Sequence, residues 1–191
     1  MAGRFHLRLA TLADVPPLHQ LIASSVRGLM LATYSPAQLE AALGSWLGLD
    51  TQLIKDGTYF IVEATGGHGE IVLVGCGGWG KRKTPYGSDH GPEREDALLD
   101  PQHDAAKIRA FFVHPEWARQ GIGRMLLDAS EGAAISAGFT RFELGATLSG
   151  IPLYERYGYV PGERVDLPLD NGEVLPIVRM TKPVGGGSPR K

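Results

Sequence analysis

A chain of 191 residues that is 43% apolar and 21% charged is long enough for one domain with its own core, and its composition is ordinary for a globular protein. A net charge of −2 argues against bulk nucleic-acid binding, and the lone Cys76 excludes an internal disulfide. No apolar run approaches a membrane span, and the opening Met1-Ala2-Gly3-Arg4-Phe5-His6 lacks the apolar core of a signal peptide, so a cytoplasmic location away from membranes is expected.

Phe5 to Ala10 alternates Phe5, Leu7 and Leu9 against His6 and Arg8, the pattern of a first strand. Asp14 is placed to cap a helix whose apolar face repeats through Leu18, Leu21, Ile22, Val26 and Leu29, with Pro16 and Pro17 in its first turn. Ser35-Pro36-Ala37-Gln38 is a capping box with proline at N1, and predicts a second helix with Leu39, Leu43, Trp46 and Leu47 on one face. Tyr59 to Ala64 reads as a strand, Gly66 to Gly69 as a turn, and Glu70 to Trp79 as the hairpin partner.

Residues 81–106 form a polar connection, with one short helix expected around Glu93 to Leu99. A loop this long is usually functional or disordered. Lys107 to Val113 is the next strand, followed by a helix from Ile122 to Ala137 that Gly138 closes. Arg141 to Ala146 gives another strand, Ile151 to Tyr157 a short helix, and Leu175 to Met180 a last strand. The resulting β-α-α-β-β-β-α-β-α-β order predicts a mixed α/β sheet in one domain over residues 1–183. A flexible tail is expected over 184–191, where glycine and serine dominate.

The most informative stretch is Lys107 to Arg124. An apolar strand runs through His114-Pro115 into a glycine-bearing loop that opens a helix. A helix N-terminus offers unpaired N–H donors and partial positive charge, glycine lets a phosphate come close, and Arg119 and Arg124 flank the loop. A P-loop spelling is absent. The dinucleotide fingerprint fails at its third small residue, because Gly121-Ile122-Gly123-Arg124-Met125 leads to Leu126. That disfavours a nucleotide-binding reductase.

Val113-His114-Pro115 followed by Arg119-Gln120-Gly121-Ile122-Gly123-Arg124 resembles the coenzyme A loop of the GCN5-related N-acetyltransferases (GNAT). Pro152-Leu153-Tyr154-Glu155-Arg156-Tyr157-Gly158-Tyr159 resembles the later helix of the same family. The close likeness covers residues 107–160. It departs at Ala118, where the family usually has Gln or Arg, and at Thr147 and Ser149, positions where many members carry Asn.

The resemblance implies central strands that splay apart after the coenzyme loop. The pantetheine arm would lie in that opening along Phe111, Phe112 and Val113, with the pyrophosphate on Arg119, Gln120, Gly121, Ile122, Gly123 and Arg124. It implies acetyl-CoA as co-substrate, no metal, and direct attack by the primary amine of a small molecule or peptide in a ternary complex. Tyr154 matches the family's general acid. Glu143, facing opposite Phe142 and Leu144 by strand alternation, is the first candidate base, and Glu63 the second. His90, His103, Asp89 and Asp104 lack the short spacings of a zinc site. The alternative reading is a non-catalytic acyl-CoA-binding or sensing domain. A homodimer through an edge strand or the long loop is compatible with the pattern.

Overall fold

The fold, seen in a computed structural model, is described for residues 4–92 and 94–185. Seven strands form one sheet: β1 (Phe5–Leu9), β2 (Tyr59–Thr65), β3 (Ile71–Gly80), β4 (Ala106–Val113), β5 (Arg141–Thr147), β6 (Val160–Pro168) and β7 (Val174–Pro183). Their order is β1-β2-β3-β4-β5-β7-β6, with β4–β5 the parallel pair. Five helices pack on it: α1 (Val15–Leu29), α2 (Pro36–Ala42), α3 (Thr51–Lys55), α4 (Ile122–Ser136) and α5 (Ile151–Arg156).

The joint between β4 and β5 shapes the molecule. They pair only at their starts, Ala106 with Phe142 and Lys107 with Glu143, and then separate. The cause lies in β4, whose register with β3 shifts between Cys76 and Gly78. Opposite that shift Ala110 adopts φ 56, a left-handed conformation that costs a non-glycine residue about 1–2 kcal/mol. A bulge bends its strand, and here the bent strand leaves its parallel neighbour. The Tyr59 hydroxyl holds the bend by donating to the Ala110 carbonyl at 2.9 Å.

The Gly75-Cys76-Gly77-Gly78 run is used for packing. A Cβ on Gly75 would lie 2.4 Å from Ile122, and one on Gly78 would lie 2.3 Å from the Thr58 carbonyl oxygen. The first clearance lets the start of α4 settle directly on the sheet. Cys76 between them is fully buried, and burial pushes its thiol up to about 12.

Several expectations are corrected. Asp14 sits at the N-cap position of α1 as expected, but its side chain makes no cap bond; its carboxylate turns back to accept from the Thr11 N–H at 2.7 Å and pairs with Arg8. The Ser35–Gln38 capping box forms as expected. Its helix stops at Ala42, because Leu43 turns extended and Gly44 takes φ 84. Trp46 and Leu47 therefore leave the helix face.

The 81–106 connection is ordered into a narrow ladder. Leu99 N–H donates to the Lys81 carbonyl at 2.8 Å, Lys83 to Ala97 at 2.9 Å, and Thr84 to Glu95 at 3.0 Å. Residues 94–99 hold no helical turn and a single bridge, Leu98 to Arg82, so the short helix expected there does not form; Glu93 lies outside the described residues. Helix α3 and strand β6 were not expected. β6 contains Pro161 and Gly162, which read as loop, but a register shift between Pro161 and Arg164 accommodates them. At the C-terminus the Val184 N–H donates to the Thr140 carbonyl at 2.8 Å. The rest of the expected tail, 186–191, lies outside the described residues. No helix among the described residues is long and apolar enough to cross a membrane.

Candidate active site

A cavity of about 80 Å³ fills the wedge between β4 and β5. One wall comes from the sheet and α5: Ile108, Ala110, Phe111, Gly145, Thr147 and Tyr154. The opposite wall comes from distant segments: Met30 after α1, Trp46 and Leu47 after α2, and Pro85 to Gly87 of the long connection.

Past the wedge, β4 passes through the 3-10 turn Pro115–Trp117 into the loop before α4. Arg119 takes φ 65 and Gly121 φ 90 as the N-cap residue. Left-handed residues in a turn are one way a backbone gathers successive amides into a concavity that receives anions. The first N–H groups of α4 have no partner within the helix. A Cβ on Gly121 would meet nothing within 4 Å, so glycine is required there by conformation rather than by space. On Gly123 it would lie 3.1 Å from Leu153, which ties the loop to α5. Arg119 and Gln120 are exposed. Arg124 is exposed too, 3.3 Å from Asp128 and 6.0 Å from the Tyr157 ring centroid. These side chains are available to an anion.

On β4 the His114 N–H donates to the Val74 carbonyl of β3 at 2.9 Å. By strand alternation the N–H groups of Phe111 and Val113 point away from β3. The Val113 N–H meets the buried Ser25 hydroxyl of α1 at 3.2 Å. Phe111 crosses Tyr154 edge to face at 6.3 Å, whereas the buried Phe112 belongs to the core under α1.

Tyr154 is buried, and its ring also meets Tyr159 edge to face at 5.7 Å. Among the described residues no hydrogen bond contributes to the position of its hydroxyl pKa, which burial alone sets. Burial raises its pKa well above the ordinary phenol value, so it stays protonated across the neutral range. Thr147 and Ser149 lie beside it, their hydroxyls 3.3 Å apart.

Glu143 shares the strand face of Gly145 and Thr147, as its alternation implied, but it sits at the closed end of the wedge. Lys107 holds it at 2.8 Å and Arg179 at 3.2 Å. Burial raises its pKa, the two cations outweigh that, and the net position lies below the ordinary glutamate value. Such a carboxylate is a poor proton acceptor at neutral pH and does not line the cavity. Glu63 is bound to Arg8 at 2.7 Å near the outer edge of the sheet. Of the four residues weighed as metal ligands, Asp89 caps Thr51 at 3.0 Å and His103 pairs with Asp100 at 2.7 Å.

A buried ion pair was missed in the sequence. Arg109, next to the bulge, donates through Nη1 to Asp50 at 2.8 Å and through Nη2 to the Gly87 carbonyl at 2.7 Å. Both ionic side chains are almost completely buried. Burial lowers the Arg109 pKa, with Asp50 opposing. Asp50 also caps α3 through the Gln52 N–H at 3.0 Å and pairs with Arg94 at 3.3 Å. Two aromatic donors complete this wall: Tyr34 donates to the Pro176 carbonyl, and Trp46 to the Pro168 carbonyl, both at 2.7 Å. Capping propensity at Asp50 was a usable signal; Arg109 in an apolar strand was another.

Residues 55–161 match the family described as the acetyltransferase (GNAT) domain, and the chain belongs to that family. No curated protein matches by sequence. Among solved structures, the chain is similar to a GCN5-related N-acetyltransferase from Rhodopseudomonas palustris. The TM-score is 0.68 and the identity 22%, covering 96% of this chain and 98% of that one. It is also similar to a phosphinothricin acetyltransferase from Sinorhizobium meliloti in complex with AcCoA, at TM-score 0.60 and 19% identity over 99% of this chain and 93% of that one. A PaiA N-acetyltransferase from Thermoplasma acidophilum in complex with coenzyme A gives TM-score 0.60 and 14% identity over 95% and 99%. Identities this low speak for the shared fold alone.

Proposed function

We propose that this protein is an acetyl-CoA-dependent N-acetyltransferase acting on a primary amine. The observation that carries the reading is one continuous path. It follows the chain from the glycine-bearing start of α4 back along β4, which leaves β5 after Lys107, to the cavity that Phe111 and Tyr154 line. The loop, with Arg119 and Arg124, suits a pyrophosphate. Phe111 and Val113 offer backbone groups to the amides of the pantetheine arm, with Ser25 exchanging its Val113 bond for one to the ligand. Acyltransferases of the same fold hold AcCoA or coenzyme A in the structures from S. meliloti and T. acidophilum, in support of this ligand.

In the reaction, the nitrogen lone pair attacks the thioester carbonyl carbon, the tetrahedral oxyanion collapses, the C–S bond breaks and the new C–N bond stays. The amine gives up a proton and the departing thiolate takes one. Tyr154 suits the second transfer, because its buried phenol is protonated and can donate to sulfur. Glu143 is assigned to closing the strand joint, and no side chain is assigned as base.

Release of free coenzyme A thiol on mixing protein, acetyl-CoA and an amine panel tests the reading. Tyr154→Phe is expected to lower kcat by about 10²-fold or more, and to leave acetyl-CoA affinity within about twofold. Binding of acetyl-CoA with no thiol released by any amine would favour the sensing domain instead.

A further inference from the structure

The acceptor wall carries chemistry that narrows the amine, given the N-acetyltransferase reading above. Trp46 and Tyr86 form its aromatic face, with ring centroids 6.0 Å apart, and Met30, Leu47 and Pro85 extend it. The one formally charged side chain among the described lining residues is a cation, Arg109. Its Nε–H is buried without a hydrogen-bond partner among the described residues. In the rigid guanidinium fork this N–H shares an edge with Nη2, and Nη2 donates to Gly87 on the cavity wall. Asp50, which balances Arg109, binds the far nitrogen Nη1 and is itself shared with Arg94.

The other titratable groups around the cavity do not supply a base. Tyr154 from α5 is protonated. Tyr34 and Tyr59 use their hydroxyls as donors to carbonyls. Glu143 on β5 is gripped by Lys107 and Arg179. An ammonium entering here would lose water, face a guanidinium, and find no carboxylate among the described residues to receive it. Each of those effects favours the uncharged amine.

We propose that the acceptor is a compact amine of the α-amino type on an apolar body, bound already neutral, and that alkylammonium ions and polyamines are excluded. α-Amino groups titrate near ~7.7–8.0 and lysine-type amines near ~10.4, so at pH 7.5 the neutral fractions differ by about two orders of magnitude. An apolar side chain would rest on Trp46 and Tyr86. The enclosing residues 85–88, fixed by Arg109 and by the Ser88 hydroxyl on the Gly44 carbonyl at 2.6 Å, favour a small molecule over a chain that must pass through.

The test begins with calorimetric binding of acetyl-CoA to the wild-type protein, and absence of binding would sink the N-acetyltransferase reading itself. With binding secured, thiol release is compared at pH 7.5 for phenylalaninamide, phenethylamine and spermidine, the first two sharing one benzyl body. The expected kcat/KM for phenylalaninamide exceeds that for phenethylamine by about a hundredfold, with spermidine slower still. The acid limb of each pH profile should follow the amine rather than the enzyme, and Glu93→Gln should leave it in place. Equal or better turnover of phenethylamine or spermidine overturns the inference. So does one enzyme pKa common to all amines, a limb lost in Glu93→Gln, or acetyl-CoA binding with no turnover of phenylalaninamide.

Discussion

The two walls of the cavity are built in opposite ways. The wall proposed for the coenzyme starts on β4, and the same continuous piece of chain runs on through the turn at His114-Pro115 to the first turn of α4. The acceptor wall is assembled from the segments after α1 and α2 and from the long connection. It is held by long-range bonds: Arg109 to Asp50, Arg109 to Gly87, Tyr34 to Pro176 and Trp46 to Pro168. A backbone surface fixed by local turns suits a ligand common to many proteins. A side-chain surface fixed from afar can be exchanged segment by segment, and so suits the part of a reaction that differs between relatives. Perturbations should therefore separate cleanly between the two walls.

The largest expected effect is on the acceptor wall. Asp50→Ala leaves the buried Arg109 without its carboxylate and removes the α3 cap, and should cost about 3–5 kcal/mol. Thermal and urea unfolding measure this. While the variant remains folded, acetyl-CoA affinity should stay within about twofold. A large parallel loss of coenzyme affinity would break the distinction between the walls.

At the hinge where both walls meet, Glu143→Gln should cost about 2 kcal/mol at pH 7, between the values for exposed and fully buried pairs. Because the folded glutamate titrates below its ordinary value, its contribution is complete above about pH 4.3–5 and fades as pH falls through the folded pKa. Melting curves of wild type and variant should converge as the pH is lowered through the folded pKa. A gap that persists undiminished in acid would assign the effect to packing instead of charge.

The smallest effect belongs to the coenzyme wall. Gly121→Ala keeps open space around the new methyl but strains φ 90, at about 1–2 kcal/mol. If the loop relaxes to relieve that strain, acetyl-CoA binding should weaken by about tenfold. Turnover of bound substrates should be unaffected. A fall in kcat would show that the loop also governs the acyl site.

The same contrast explains what could be read from the residues. The glycine-bearing loop, the start of α4 and the short helix that carries Tyr154 were legible because their geometry is written in contiguous residues. The alternation of β5 placed Glu143 on the correct strand face, but its partners Lys107 and Arg179 lie 36 residues away on either side and could not be seen. The capping box at Ser35 was legible, whereas the end of its helix depended on Gly44 at φ 84 and on Trp46 reaching the Pro168 carbonyl. β6 stayed hidden because Pro161 and Gly162 oppose strand formation locally and are tolerated only through the register shift against β7. Residues 81–106 gave no motif, since their order comes from the short ladder and from Arg109 and Asp50 across the fold.

The central claim is that the open β4–β5 joint and the α4 N-terminus together receive acetyl-CoA. Calorimetric titration of the folded wild-type chain with acetyl-CoA, with ATP and NADH as controls, tests it most directly. The account predicts one site of micromolar affinity, about −8 kcal/mol, specific to acetyl-CoA and retained in Tyr154→Phe. A folded protein that takes up no acetyl-CoA, or that binds all three ligands alike, would contradict it.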